Sequence, residues 1–315
     1  MGKMIKSRGK EGYDIIGDIH GHADELIKLL EHLGYRPSAT GYQHPTRQAI
    51  FLGDFIDRGE HLGQHRKLLD IVMPMVRNEH AKAVMGNHEF NALAYHTLHE
   101  GEYLRPRDEK NTKQHQAFLN EFEFEHEARE EVLNFFYSLP MWLDLDEIRV
   151  VHACWDKNKI KQLKEACPDG LLSRDILVKA STKGTPSFYA IETILKGFEV
   201  ELPDGISFLD KDKHKRHSVR VQWWNSEADC LGQVALPEDL DIEAAYTLPL
   251  PSDVPRYEST SVPCFIGHYW LDGEPAPLAP NVACLDYSVA KEGKLVAYRW
   301  SGEAQLSRSI NPAAI

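Results

Sequence analysis

Short apolar runs alternate with helix-like patterns over the first hundred residues. Four leucines recur at helical spacing until Gly34 ends the run: Leu26, Leu29, Leu30 and Leu33. Further segments are predicted on the same grounds: strands at 13–16, 49–52 and 81–85, and helices at 62–76, irregular at Pro74, and 90–98. Strands that alternate with helices in this way predict βαβ units and therefore an α/β fold.

The rest of the chain is predicted to add helices first and strands last. Six glutamates between 121 and 131 predict a solvated helix face, anchored by Phe122 and Phe124. The predicted strands are 142–145, 148–151, a strand-like piece at 219–224, 262–266, 282–285 and 294–300. We expect one domain, 1–315, with a helical insertion at about 101–140 and a cap or insertion at about 157–256, helical to about 196 and irregular beyond.

Composition and charge exclude several classes of protein. The 315 residues are 42% hydrophobic and 27% charged, which is typical of a globular protein, and no apolar run approaches the ~20 residues of a membrane helix. The formal net charge of −12 disfavours stable binding to nucleic acid or to an anionic membrane, and with it a nuclease acting on polynucleotides. A phosphate-bearing partner therefore needs a local positive site.

The cysteines and the N-terminus indicate a cytoplasmic protein. Five cysteines are widely spread, without a C-x-x-C pair: Cys154, Cys167, Cys230, Cys264 and Cys284. Residues 1–10 are polar and basic and lack the apolar core of a signal peptide. We expect reduced thiols.

Polar side chains follow five of the predicted strands. They are Asp18 and His20, then Asp54, then Asn87 and His88, then His152, and finally His268. In open α/β sheets the carboxyl ends of strands line one crevice, so these groups can converge. Oxygen and imidazole ligands without cysteine suit two manganese, iron or zinc ions, and Arg58 adds a planar fork for phosphate oxygens.

Each of these residues also has a structural interpretation. An aspartate such as Asp18 before a helix is commonly an N-cap, and a lone buried histidine such as His152 is more often a core residue than a ligand. The joint pattern favours the metal site, because the structural interpretation would have to recur independently at five strand ends.

Three motifs carry a family resemblance: Gly17-Asp18-Ile19-His20-Gly21, Gly53-Asp54-Phe55-Ile56-Asp57-Arg58-Gly59 and Gly86-Asn87-His88-Glu89, followed by His152 and Gly267-His268. The series resembles the calcineurin-like metallophosphoesterases, and most of all their phosphoprotein phosphatase branch. The resemblance implies a four-layer sandwich of two mixed β-sheets flanked by helices, with a dinuclear metal site at the carboxyl ends of the strands.

The resemblance also implies a role for each site residue. Asp18 and His20 would bind the first metal, Asp54 would bridge both metals, and the second metal would be bound by Asn87, His152 and His268. His88 would donate a proton to the leaving oxygen, with Asp57 orienting it. Arg58 and Asn87 would bind the phosphate, which a metal-bridging water attacks directly. Two divalent transition-metal ions are implied, manganese first, with iron or zinc as alternatives.

This chain departs from the family pattern at two motifs. His152-Ala153-Cys154-Trp155 stands where the family usually has His-Gly-Gly or His-Ala-Gly. The family's second phosphate-binding arginine has three candidates, Arg174, Arg216 and Arg220, of which we favour Arg220 because it lies on the strand-like piece before two tryptophans.

The C-terminal part, 267–300, is similar to the end of bacterial symmetrical diadenosine tetraphosphatases, with Asp286-Tyr287-Ser288 in place of Asp-Thr-Gly. A packing hairpin and a substrate role both remain open for this part. We expect Trp223, Trp224, Trp270 and Trp300 to be core or interface residues rather than base-stacking platforms, and His61, His65, His96 and His99 to be surface residues.

The function predicted from these features is metal-dependent phosphoester hydrolysis. We place phosphomonoesterase activity first, including phosphoserine or phosphothreonine in proteins, and hydrolysis of dinucleoside polyphosphates such as diadenosine tetraphosphate second. The partner would be a phosphorylated small molecule, a nucleotide or a phosphoprotein. A catalytically silent binding module is the alternative of another class, but such a module is expected to lose ligands, and all of them are present here.

Overall fold

The computed structural model describes residues 11–58, 62–209, 215–237, 248–307 and 312–314. Its helices are α1 Ala23–His32, α2 His65–Arg77, α3 Asn87–His96, α4 Glu109–Gln114, α5 Gln116–Phe122, α6 His126–Tyr137, α7 Lys157–Ala166, α8 Arg174–Ser181 and α9 Pro186–Lys196. Single 3-10 turns occur at Leu231–Gln233 and Val289–Lys291.

The described strands fall into two larger sheets, one small three-stranded sheet and three short pairs. They are β1 Gly12–Ile16, β2 Arg36–Ser38, β3 Gly41–Gln43, β4 Arg47–Phe51, β5 Ala81–Ala83, β6 Leu98–His99, β7 Glu102–Tyr103, β8 Trp142–Asp144, β9 Arg149–Val151, β10 Glu199–Glu201, β11 Phe208–Leu209, β12 Lys215–Arg216, β13 Ser218–Val221, β14 Ala235–Leu236, β15 Cys264–Ile266, β16 Val282–Cys284, β17 Asp286–Tyr287, β18 Lys294–Trp300 and β19 Pro312–Ala314.

Both larger sheets are mixed. The first has the order β17-β18-β1-β4-β5, with β19 also paired to β18; β1, β4 and β5 are parallel, whereas β18 runs antiparallel to β1. The second has the order β16-β15-β9-β8, with only β8 antiparallel to its neighbour. Because the parallel strands of a sheet end on the same side, the predicted ligands of each sheet emerge at one edge.

Alternating strand residues build two apolar layers. Ile15 and Ile50 of the first sheet pack in one buried cluster with Val150 and Phe265 of the second. Their strand neighbours point to the opposite face, as Ile16 does, and join the cluster that contains the apolar sides of the helices. The predicted sandwich of two mixed sheets flanked by helices is confirmed, with one core between the sheets and another beneath the helices.

The insertion predicted at 101–140 contains α4, α5 and α6. The glutamate-rich run is not one helix, because α5 ends at Phe122 and α6 begins at His126. Phe122 is buried, as predicted, but the prediction for Phe124 was wrong: its side chain is 95% exposed in the turn between the two helices. Of the helices in the described ranges, none combines the length and the apolarity needed to cross a bilayer.

The segment 157–256 begins with α7, α8 and α9 and continues into a small sheet of order β10-β13-β14. Strand β13 ends earlier than predicted, because the chain turns where the backbone N–H of Trp223 donates to the carbonyl of Val221. The Trp223 indole then donates to the carbonyl of Ala153 at 3.1 Å, which ties this segment to the loop after β9.

Candidate metal centre

The Asp54 carboxylate lies at the centre of the converging side chains. Its Oδ2 is 3.4 Å from His152 Nε2, 3.7 Å from His20 Nε2 and 4.0 Å from His88 Nε2. All four side chains are buried. Because β1, β4 and β5 belong to one sheet and β9 to the other, the site joins the carboxyl edges of both sheets.

Backbone carbonyls orient two of the imidazoles. His20 Nδ1 donates to the carbonyl of Ile56 at 3.1 Å, and His152 Nδ1 donates to the carbonyl of Leu52 at 2.7 Å. Each bond leaves the Nε2 of that ring turned toward Asp54. Such bonds fix the tautomer and the direction of a metal-binding imidazole.

Asn87 joins the second half of the site. Its Oδ1 is 2.8 Å from His268 Nδ1 and 3.1 Å from His152 Nε2. Among the described residues, two sets have potential ligand atoms all within 4.8 Å of one another, and both contain Asp54: one with His20 and His88, the other with His152 and His268. A carboxylate shared by two clusters is the arrangement expected of a bridging ligand.

Unpartnered buried atoms indicate that this set of donors fits metal ions. Within the described part of the chain, Asp18 Oδ1, His20 Nε2 and His268 Nε2 are buried without a hydrogen-bond partner. Such atoms are costly unless a ligand completes them. Gly267 keeps room beside Asp18, since a Cβ at that position would lie 1.9 Å from Asp18 Oδ1. The oxygen and imidazole donors are those preferred by manganese, iron and zinc.

The loops that carry these side chains have strained backbones. Positive φ angles occur at His20 (46°), Asp54 (49°), Asp57 (65°), Arg58 (56°) and His268 (72°). Non-glycine residues rarely adopt this region, and such outliers cluster at functional sites. The strained loops turn the side chains back over the ends of their strands.

Glu89 supports two of these loops from below. Its Oε2 accepts the backbone N–H groups of Asp54 and Gly86, each at 2.9 Å, and its Oε1 accepts that of Phe55, also at 2.9 Å. Burial, followed by the nearby Asp54 charge, raises the pKa of Glu89 to about 7. Glu89 ends the Gly86-Asn87-His88-Glu89 motif, but no role was predicted for it; a carboxylate three residues into a helix was the available signal.

The neighbouring imidazoles keep the central carboxylate charged. Burial raises the pKa of Asp54, but His152 and His88 outweigh it and hold that pKa well below its usual value. Burial lowers the pKa of His152, yet Asp54 and Asp18 raise it to about 10. Burial dominates at His20 and lowers its pKa to about 3. The low pKa of His20 favours the neutral imidazole that metal binding needs, whereas the raised pKa of His152 reflects the two carboxylates beside it.

The predicted pair of His88 and Asp57 is present, and His115 also bonds to Asp57. Asp57 Oδ2 accepts from His88 Nδ1 at 2.8 Å, and Asp57 Oδ1 accepts from His115 Nδ1 at 2.9 Å. Burial lowers the pKa of His88, but the carboxylates of Asp54 and Asp57 outweigh it and raise that pKa above its usual value. Sequence reasoning missed His115, because it lies outside every motif in a charged helical stretch.

Arg58 is exposed beside an aromatic ring. Its guanidinium carbon lies 5.3 Å from the centroid of Trp270, and Lys291 Nζ lies 4.5 Å from the same centroid. Asp286 Oδ2 accepts the backbone N–H of Trp270 at 2.8 Å, and the indole ring lies near His20, with 5.8 Å between ring centroids. The C-terminal part of the chain thus borders the site.

The three arginine candidates lie in different places. Arg174 is exposed and donates to the carbonyl of Leu98, and Arg216 is exposed on β12. Arg220 packs over Tyr269 at 5.9 Å, and its Nε is buried without a partner among the described residues. Its Nη2 pairs with Glu199 Oε1 at 3.4 Å. Because Tyr269 adjoins His268, Arg220 lies beside the second half of the site, and its charge, after burial, lowers the pKa of His268.

Several side chains lie elsewhere than predicted or add to the prediction. His65 is buried against Gly21, contrary to the predicted surface position, and its Nδ1 lies 3.2 Å from Glu121 Oε1. His99 is exposed, as predicted. His61 lies outside the described residues. His96 is partly buried beside His115 rather than on the surface. The predicted core positions of Trp223, Trp224 and Trp300 are confirmed.

The sequence of this chain is similar to those of known phosphoesterases. Residues 13–182 match the family described as calcineurin-like phosphoesterase. Two curated relatives are named bis(5'-nucleosyl)-tetraphosphatase, asymmetrical: that of Halalkalibacterium halodurans is 43% identical over 24% of this chain and 30% of its own length. That of Oceanobacillus iheyensis is 30% identical over 55% of this chain and 68% of its own length.

A solved structure supports the fold independently. The protein serine/threonine phosphatase from Saccharomyces cerevisiae described as similar to human phosphatase PP5 superposes with a TM-score of 0.52. The alignment covers 98% of this chain and 80% of that one at 13% identity, which bears on the fold alone. Since the family match spans more than half of the sequence and includes the first four motifs, the chain belongs to the calcineurin-like phosphoesterases, a family of metal-dependent hydrolases.

Proposed function

We propose that six side chains hold two divalent ions, with manganese as the expected pair. His20 lies on one side of Asp54, which faces both halves of the site. Asp18, whose Oδ2 accepts the backbone N–H of His268 at 3.0 Å, is the proposed partner of His20 in holding the first ion. Asn87, His152 and His268 lie on the other side. Two such ions supply activated water as the nucleophile and offset the charge that develops on phosphate. The unpartnered atoms of Asp18, His20 and His268 support this assignment most directly.

The remaining side chains bind phosphate and move a proton. Arg58 is exposed at the mouth of the site and offers two parallel N–H groups to phosphate oxygens. Arg220 is the proposed second arginine, on the side of His268. His88, held by Asp57 through Nδ1, has its Nε2 on the side of Asp54 and donates the proton to the leaving oxygen.

The substrate class we propose is the dinucleoside polyphosphates. The observation that carries it is the distribution of positive charge at the site. Arg58 and Lys291 lie beside Trp270 on one side. On the other side Arg220 lies over Tyr269, next to His268, and also pairs with Glu199 at 3.4 Å. In a protein of net charge −12, arginine and lysine side chains on two sides of the site suit a substrate with several phosphates. The names of the two curated relatives agree with this proposal.

Phosphomonoesters, including phosphoserine, are the second candidate class. The buried His88–Asp57 pair favours them, because an alkoxide leaving group needs a proton far more than a phosphate leaving group does. The two classes therefore place different demands on the same site.

A substrate panel on the manganese-loaded protein tests the proposal. Diadenosine tetraphosphate, a phosphoserine peptide and an aryl phosphate are compared by kcat/KM, with bound metal measured by elemental analysis. We expect about two ions per chain and at least a tenfold preference for the dinucleotide, equivalent to about 1.4 kcal/mol. The same preference for the phosphopeptide would assign the protein to the second class. No bound metal and no activation by manganese would refute the metal site.

A single domain over 1–315 and a cytoplasmic location stay predictions from the sequence.

A further inference from the structure

Asp57 holds two histidines from different parts of the chain. Its Oδ2 accepts from His88 at 2.8 Å, and its Oδ1 accepts from His115 at 2.9 Å. All three side chains are buried. His115 lies between α4 and α5, in the predicted helical insertion, and so comes from outside the strand ends that supply the rest of the site.

The ring of His115 is held by contacts at both of its nitrogens and on one face. It stacks on Phe118 with centroids 4.8 Å apart and planes 16° from parallel. Its Nε2 lies 3.2 Å from His96 Nε2, so Nδ1 is the nitrogen presented to Asp57. A ring held in this way offers its donor in one direction only.

This arrangement limits what the Asp57 carboxylate can do. With Oδ1 occupied by His115, only Oδ2 is turned to His88, which sets the plane and the tautomer of the His88 ring. Burial raises the pKa of Asp57, but His115 and then His88 outweigh it and hold that pKa below its usual value. The carboxylate is therefore charged as well as oriented.

On the basis of the proposed phosphoester hydrolysis, we propose that His115 is a positioning residue for proton donation: it fixes the Asp57 carboxylate, which fixes His88 for transfer to the leaving oxygen. A purely structural role is the competing explanation, in which the bond only docks α4 and α5 onto the loop after β4. The two explanations differ in which substrates respond to loss of the bond.

Two variants of His115 separate the donor from the ring. His115→Phe keeps the stacking on Phe118 but has no donor for Asp57. His115→Asn loses the ring but places an amide N–H close to the position of Nδ1. In His115→Phe, we expect kcat to fall about 10-fold or more on a phosphoserine peptide and less than about 2-fold on an aryl phosphate with an acidic phenol. His115→Asn should recover part of the loss.

A double variant gives a second readout. In a His88→Asn background the acid is already absent, so adding His115→Phe should change kcat on the peptide by less than about 2-fold. Tyr95→Phe is the matched control, because it removes the 3.0 Å contact between Tyr95 and Thr112 of α4 without touching Asp57. It should leave the leaving-group dependence unchanged. Equal losses on every substrate, or losses that add in the double variant, would overturn the positioning role.

A spectroscopic measurement keeps this test separate from the test of the proposed function. The downfield NMR resonance of the His88 Nδ1 proton, assigned by its absence in His88→Asn, should shift or exchange faster in His115→Phe and return in His115→Asn. An unchanged resonance in His115→Phe would overturn the proposal whether or not the protein hydrolyses any of the three substrates. Inactivity of the metal-loaded native protein on all three substrates would instead refute the proposed function.

Discussion

The Glu89 carboxylate accepts the backbone N–H of Asp54 at 2.9 Å and so fixes the loop that carries the central carboxylate of the site. The same side chain also accepts the N–H groups of Phe55 and Gly86. A residue on α3 thereby joins the ends of β4 and β5. The position of Asp54 depends on this buried acceptor as much as on its own strand.

Replacing Glu89 by Gln should therefore weaken metal binding. In glutamine an NH2 group replaces one of the two acceptor oxygens of Glu89. An N–H group would therefore face backbone N–H donors. We expect metal affinity to fall about 10- to 100-fold, as for other groups that support metal ligands, in a calorimetric manganese titration. Glu130→Gln, an exposed change on α6, is the matched control. Unchanged affinity in Glu89→Gln would contradict the supporting role.

Replacing Asp54 by Asn should reduce turnover more than replacing Arg58 by Ala. Asp54 faces both halves of the site, whereas Arg58 is exposed and is proposed to contact only the substrate. Losing the charge-assisted bonds of Arg58 should cost about 1.5–3 kcal/mol in kcat/KM with full metal content. Elemental analysis and kinetics on one preparation check both parts. An Asp54→Asn protein with normal metal content and most of its activity would exclude a bridging role.

Replacing His88 by Asn should affect substrates according to their leaving groups. The asparagine amide can still donate to Asp57, but the nitrogen that faces the reacting side is lost. The rate should fall by about 10²-fold or more on phosphoserine peptides and much less on acidic aryl phosphates or a dinucleoside polyphosphate. His99→Asn, on an exposed residue, is the control. Equal losses on all three substrates at unchanged metal content would show that His88 is not the acid.

Replacing Gly267 by Ala should disturb the first half of the site. The new Cβ would lie 1.9 Å from Asp18 Oδ1, so either the carboxylate or the loop with His268 must move. Elemental analysis should find fewer ions than in the native protein, and overpacking should lower the free energy of unfolding by about 1–3 kcal/mol. Gly273→Asn is the control, because that position has open space and a φ of 77°, which asparagine tolerates. Native metal content in Gly267→Ala would place Asp18 outside the site.

The pattern of apolar and polar residues was sufficient to predict the strands whose ends carry the site, the helices after the first three of them, and the residues at those strand ends. It did not predict the short strand pairs β2–β3 and β6–β7. This success has a local cause, since periodicity and the residues that follow a strand are properties of neighbouring positions. The motif residues from Asp18 to His268 are brought together by the strand order, because the parallel strands of each sheet end on one side. The family resemblance supplied the pairing of the two sheets.

Only the tertiary structure decided which distant side chains support the site. His115 lies 58 residues beyond Asp57 in a stretch that resembles a solvated helix, and no local pattern marks its bond to the carboxylate. Phe122 and Phe124 are equivalent by sequence, yet one is buried and the other exposed, because the turn between α5 and α6 falls between them. Burial and long-range hydrogen bonding depend on how the helices and strands pack against one another. Packing brings together residues that are far apart in the sequence, and no local pattern shows which of them will meet.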